Sequence, residues 1–297
     1  YAINWNGAVS AEASADANTG LVTVTAHIPF DTTFGQVLGR DEITASALAE
    51  AGCFLPSWAE GVLPVAWSCR TGEEVLPDGQ CAADYDKTYI VMDSSGIDED
   101  HCGPEGALDC DYNDDGTNEI MRGGDRSWVD LTGAVNEGCG GACELRNWIE
   151  DGFPNVVNDH TWVPLQDGSQ TATFQSAETR EGDVVILPVF DAACLGDPVS
   201  EPGCAFHSGD EYAGDTPCTP GQWCFHLIAF SAFKIECVSD KPSKHCPLKD
   251  AIVDSGTGIL ANSDKTIEGK FIRDYVSDAG GDGSGVDAGA YTLYLTR

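Results

Sequence analysis

The sequence predicts a mainly β protein: antiparallel sheets, sandwich-like, carrying long disulfide-stapled loops and at most one or two short helices. Three observations lead there. Several segments alternate apolar and polar residues with period two, the signature of a strand with one buried face. Others are continuous β-branched and aromatic runs bounded by turn residues, as central strands are. Sustained helical periodicity is confined to one short stretch, and no internal repeat of 20 to 50 residues occurs.

After a small-residue lead-in, Leu21 to Phe30 sets Val22, Val24, Ala26 and Ile28 against Thr23, Thr25 and His27, and reads as a strand. Thr33 to Gly39 is turn-like, and the alanine-rich Glu42 to Ala51 fits either strand or short helix. From Gly72 to Gly124 the chain is rich in Gly, Asp, Pro and Cys around one strand, Lys87 to Met92, and reads as an elaborated surface loop region. Glu144 to Asp151 places Leu145, Trp148 and Ile149 at helical spacing and stops at Gly152. Asp183 to Phe190, Cys224 to Cys237, Lys265 to Val276 and Tyr291 to Thr296 are the strongest strands, with a cysteine-rich excursion from Asp191 to Trp223. Composition thus divides the chain into 1–70 (first strands), 71–143 (Cys/Asp/Gly-rich loops) and 144–297 (C-terminal β region), forming one intertwined domain or two.

A net charge of −34 argues against nucleic acid and against electrostatic attachment to anionic lipid. Cations, or further copies bridged by cations, suit it as partners, although a solvated surface in high salt accounts for much of the same excess. The 13 cysteines lack paired C-x-x-C spacing, which points to an oxidising, extracellular or cell-surface compartment more than to zinc. Proximity suggests Cys69 with Cys81, Cys102 with Cys110, Cys139 with Cys143, Cys194 with Cys204, Cys218 with Cys224, and Cys237 with Cys246. Cys53 is left over, either buried and free or bridging to another subunit. No apolar run is long enough to span a bilayer. A start at Tyr1-Ala-Ile-Asn without a Met suggests that a preceding targeting or anchoring segment was cleaved or is absent.

The most specific motif is Asp111-Tyr-Asn113-Asp-Asp115-Gly116-Thr117-Asn-Glu119. Oxygen ligands at alternate positions of a tight loop can converge on one calcium ion; Gly116 permits the turn and the Thr117 carbonyl adds a ligand. The expected metal set is therefore Asp111, Asn113, Asp115, Thr117 and Glu119, with Ca2+ as the ion. Arg122 stands where a helix-loop-helix calcium hand needs its twelfth-position ligand, so a free-standing loop is the better form; an acidic turn without metal is the plainer alternative.

The order of V-T-V-T-A-H-I-P-F-D-T-T-F-G-Q-V-L-G-R-D-E-I-T-A-S-A-L-A, R-S-W-V-D-L-T-G, E-L-R-N-W-I-E-D-G, V-V-I-L-P-V-F-D, F-H-L-I-A-F-S-A-F-K-I and I-E-G-K-F-I resembles the TadE/TadG-like proteins of tight-adherence (Tad/Flp) pilus systems, in their long β-rich extracellular forms. The blocks span about residues 20 to 277 discontinuously, and none is a catalytic motif. The resemblance implies a pilus-associated or filament-forming surface protein without enzyme activity, whose membrane helix would precede the strand at Leu21. A released chain could polymerise by donating Tyr1 to Asn18 or Tyr291 to Thr296 to a neighbour's sheet.

Other chemistries are less well supported by the residues. Tyr89-Ile-Val-Met-Asp93-Ser-Ser95-Gly-Ile97 approaches the D-x-S-x-S metal site of von Willebrand A-type domains, but Ile97 replaces the second serine. The histidines (His27, His101, His160, His207, His226, His245) have no metalloprotease spacing, and no nucleophile elbow occurs. Asp98 to Asp100, Asp210-Glu211 and the glycine-rich 279–289 read as solvated turns and a flexible connection. The sequence therefore reads first as a non-enzymatic structural subunit or assembly component of an extracellular pilus-like filament, built from copies of itself or with other pilus subunits. A secreted calcium-dependent adhesin or glycan-binding module comes second, and a secreted hydrolase last.

Overall fold

The computed structural model describes residues 10–16, 21–31, 42–68, 85–94, 128–132, 141–166, 171–195, 204–205, 223–256, 260–276, 279–281 and 288–295. The chain is mainly β and divides into two compact units, Tyr1–Phe54 with Thr292–Arg297, and Leu55–Tyr291. The division falls between Phe54 and Leu55, and the last residues belong with the first unit.

The first unit is an antiparallel sheet of β1 (Ser10–Asp16), β2 (Leu21–Asp31), β3 (Glu42–Phe54) and the end of β15 (Ala290–Leu295), in that order. The Glu42 segment, which sequence leaves open between helix and strand, is a strand of 13 residues. Its register explains why. Ala11, Ala26 and Ala47 share one row, Ala13, Val24 and Ala49 the next, and Ala15, Val22 and Ala51 a third, while Ile28 lies opposite Ala45. Alanine is a weak strand former alone, but its alternation with Thr44, Ser46, Leu48 and Glu50 matches the pleat of β2 and not a 3.6-residue period. The sheet thus has one uncharged apolar face. The other carries Glu12, Thr25, Glu50 and a hydrogen bond between His27 Nδ1 and Ser46 Oγ at 2.8 Å.

The second unit contains β4 (Trp58–Ala59), β5 (Trp67–Ser68), β6 (Tyr89–Asp93), α1 (Gly141–Asp151), β7 (Val157–Asn158), β8 (Trp162–Pro164), α2 (Thr171–Glu178), β9 (Val184–Leu195), β10 (Cys204–Ala205), β11 (Trp223–Ser239), α3 (Pro247–Ser255), β12 (Thr266–Ile272), β13 (Asp274–Tyr275) and β14 (Ala279–Gly280). Its main sheet runs β10-β9-β11-β12-β6, with β5 parallel to β9 and β8 antiparallel to β11. A small sheet, β14-β4-β7, is hydrogen-bonded separately but packs Ala59, Val157 and Ala279 into the same core, and β13 pairs in parallel with Ala290 and Tyr291 of β15. Three helices among the described residues correct the expectation of two at most. Thr171 to Glu178 was masked by its small side chains and Pro247 to Ser255 by its short length.

The core is aromatic. Phe271 meets Trp67, Tyr89 and Phe233 at centroid distances of 4.1, 5.4 and 5.0 Å, all four being fully buried. Trp128 meets Phe174 of α2 edge to face at 5.9 Å, so the helix pair α1–α2 closes one side of this cluster. A second cluster gathers Phe153, Phe190, Phe225 and Phe230. Gly269 is required by this packing, because a Cβ there would run into the Lys234 carbonyl oxygen and the Phe233 ring. Gly152, at φ 83°, ends α1 as the sequence predicts.

Candidate functional site

Two places concentrate chemistry: a buried polar clamp around α3, and the sheet of the first unit, which among the described residues is partly exposed. The clamp follows from how α3 begins. Its N-cap, Cys246, makes no side-chain capping bond, and Pro247 has no N–H, so the first donors needing partners are those of Leu248 and Lys249. Both are taken by one carboxylate from another element: Leu248 N donates to Glu268 Oε2 at 2.9 Å and Lys249 N to Glu268 Oε1 at 2.8 Å. The positive end of the helix dipole favours a carboxylate at this position. Burial nevertheless pushes the Glu268 carboxyl above its ordinary value, despite the stabilising hydrogen bonds from the Lys249 and Leu248 backbone and Thr266.

Lys249, 1% exposed, points inward as well. Its Nζ donates to Ser239 Oγ at 2.9 Å and to the Asn262 carbonyl at 3.1 Å. Burial pulls its amine below the ordinary lysine value, only partly offset by the charges of Asp250, Asp264 and Glu268. A serine beside a lysine of depressed pKa is also the arrangement of a serine–lysine nucleophile. Here Ser239 Oγ is turned toward the Lys244 carbonyl, 3.1 Å away, and both side chains are buried, so the pair ties β11 to the 260–264 turn.

The same corner is held covalently and by charge. Cys237 and Cys246 form a disulfide across a separation of 9 residues, joining β11 to the start of α3 as proximity predicts. Lys244 Nζ bridges Glu178 and Glu181 at 2.7 Å each, and Glu181 Oε1 accepts from Val238 N at 2.6 Å. Partial burial alone would lower the Lys244 pKa, but hydrogen bonds and charge from the two glutamates outweigh it and the value is raised.

The sheet of the first unit contrasts with this. Among the described residues it contributes nothing to either core cluster, and Val22 and Ile28 on its apolar face are 41% and 37% exposed. Among the described residues β1 is its outer strand.

The calcium-loop residues Asp111, Asn113, Asp115, Thr117 and Glu119 lie outside the described residues, as do Cys69, Cys81, Cys102, Cys110, Cys139 and Cys218. Among the described residues no group of three or more His, Cys, Asp or Glu side chains could hold a metal ion. Cys143 and Cys224 are disulfide-bonded. Backbone register sets Cys194 opposite Cys204 on one side and opposite Cys224 on the other, so three cysteines share one row across β10, β9 and β11. Cys53 pairs through its backbone with Leu293. Asp93, from the incomplete metal motif, is buried at the end of β6 opposite Thr266, while Ser94 and Lys265 are joined by Ser94 N to Lys265 O at 3.0 Å and Lys265 N to Ser94 Oγ at 2.9 Å. This is a strand end held by hydrogen bonds.

His226 is buried in β11 opposite Trp162, with ring centroids 5.1 Å apart. His160, at φ 52°, brings its ring to 5.9 Å from that of His226. Sequence reasoning passed over Glu268 and Lys249; the signals available were Pro247 at a helix start and Gly256, whose φ of 72° closes it. Comparison of the chain with family models, with curated proteins and with solved structures finds no match. No helix among the described residues is long and apolar enough to cross a membrane.

Proposed function

We propose that this chain is a non-enzymatic structural subunit or assembly component of an extracellular pilus-like filament or surface appendage. The observation that carries the reading is the first unit: four strands with β1 as the outer strand, and no hydrophobic core among the described residues. Sheets need a buried apolar face to be stable in water, and an open edge strand offers unpaired backbone groups to another chain. The resemblance to TadE/TadG-like proteins of Tad/Flp pilus systems supports the same reading. So does the −34 charge, which leaves cations and cation-bridged copies as the suitable partners.

In this reading the disulfides and the Glu268–Lys249 clamp stiffen the second unit, and Ca2+ held by Asp111, Asn113, Asp115, Thr117 and Glu119 ties together carboxylates that would otherwise repel. Assembly proceeds through the first unit, by strand addition at β1. Removing residues 1–18 tests this directly: the truncated protein stays dispersed in electron micrographs under conditions where the parent assembles. Assembly of the truncated protein to the parent's extent would remove β1 from the mechanism. The glycan-binding alternative draws on the half-buried Trp162 beside His226 and the exposed His160, and binding on a glycan array that is lost in Trp162→Ala would favour it.

A further inference from the structure

We propose that the uncharged face of the β1-β2-β3 sheet packs against the same face of a second copy of this chain. The inference rests on the structural-subunit reading and names how two copies meet. It starts from an energetic imbalance. β2 has 11 residues and β3 has 13, yet in neither strand is any described hydrophobic side chain buried. Hydrogen bonds alone contribute little net stability in water, and an isolated sheet of this kind is marginal until one face is covered.

Three features select a second copy as the cover. The first is charge. Chains of net charge −34 repel one another over most of their surface, but the rows around Val22, Val24, Ala26 and Ile28 carry no charged residue, whereas the opposite face carries Glu12 and Glu50. The apolar face is thus where like-charged copies approach at least electrostatic cost. The second is shape. The larger side chains, Val22, Val24 and Ile28, lie in line along β2; Val22 and Val24 have alanines opposite them on both β1 (Ala15, Ala13) and β3 (Ala51, Ala49), and Ile28 has Ala45 opposite it on β3, so the neighbouring strands form lower ground. Two such faces displaced by about one strand spacing, about 4.8 Å, seat each such line in the other's alanine rows. The third is size. Strands of this length, about 3.4 Å per residue and about 4.8 Å apart, give a three-stranded face of roughly 500 Å². With that displacement two strands of each copy overlap, so two copies bury roughly 600–800 Å², the size of a weak, concentration-dependent contact.

The test is sedimentation velocity on the full chain from about 1 to 100 μM, with Ala47→Asp placing a charge in the middle of the face and Leu48→Asp placing one on the opposite face. The expected result is association of the parent and of Leu48→Asp, dispersal of Ala47→Asp by at least tenfold in apparent Kd, and an unchanged melting transition of the second unit. Because Ala47→Asp could also loosen its own sheet, Ala47→Asp is mixed with Ala47→Lys. If like faces meet, the mixture associates although neither variant does alone. Association of Ala47→Asp at parental strength overturns the face pairing while leaving the subunit reading intact, and failure of the mixture to associate overturns it as well. A parent that stays monomeric throughout overturns the subunit reading itself.

Discussion

Replacing Glu268 with alanine isolates the clamp that fixes α3. The substitution removes the acceptor of two backbone N–H groups, at 2.9 and 2.8 Å, and of the Thr266 hydroxyl at 3.3 Å, in a place where Leu248 and Lys249 are buried and water cannot substitute. Each orphaned buried donor costs about 1–3 kcal/mol, and relief of the carboxylate's own desolvation returns part of this. The expected net loss is about 3 kcal/mol, which for a unit of this size lowers Tm by roughly 6–12 °C. Glu268→Gln keeps an acceptor oxygen and removes the ionisation, so it loses less. It also flattens part of the pH dependence. Burial raises the Glu268 pKa above 4.5, so the stability it contributes is complete below that pH and is lost as pH rises through the folded-state value; that slope disappears in the glutamine variant. Scanning calorimetry of parent, Glu268→Ala and Glu268→Gln across pH 3 to 8 measures all three quantities. A loss below about 1 kcal/mol for Glu268→Ala would refute the capping role.

Three further outcomes follow from the same structure. Cys237→Ser with Cys246→Ser opens a short loop, and the chain-entropy estimate of about 2.5 kcal/mol predicts a lower Tm under oxidising conditions and none of that difference after reduction of both proteins. Lys244→Met removes a group whose pKa is raised above 10.5 by Glu178 and Glu181; the parent's Lys244 contribution is complete below 10.5 and lost above it, so the two proteins converge in alkaline denaturation. Gly269→Ala forces a Cβ against Lys234 O and Phe233 and is expected to cost about 1–3 kcal/mol in urea unfolding, whereas the substitution of exposed Lys241 by alanine changes it little.

The long strands of this fold are legible in the sequence because their physics is local. Val184 to Phe190 and Cys224 to Val238 are runs rich in β-branched and aromatic residues, the composition of a central strand, and the alternation of Leu21 to Phe30 states its own pleat. β1 is hidden because Ser10 to Asp16 contains no large apolar residue; its alternation of alanine with Ser and Glu acquires meaning only beside Val22, Val24 and Ala26. The clamp is hidden for a different reason. Glu268 stands in a strand with Ile267 and Phe271 and is 19 residues from the N–H of Lys249 that it accepts, a pairing no local window contains. Cys237 and Cys246 were readable because proximity in sequence alone brings them within reach.

The account's central claim is that copies of this chain assemble, and electron microscopy of the purified native protein, before and after chelation, tests it most directly. Ordered filaments or sheets whose repeating unit is this chain, loosened when calcium is removed, are the predicted result. Single dispersed particles at every concentration, with and without chelator, would contradict it.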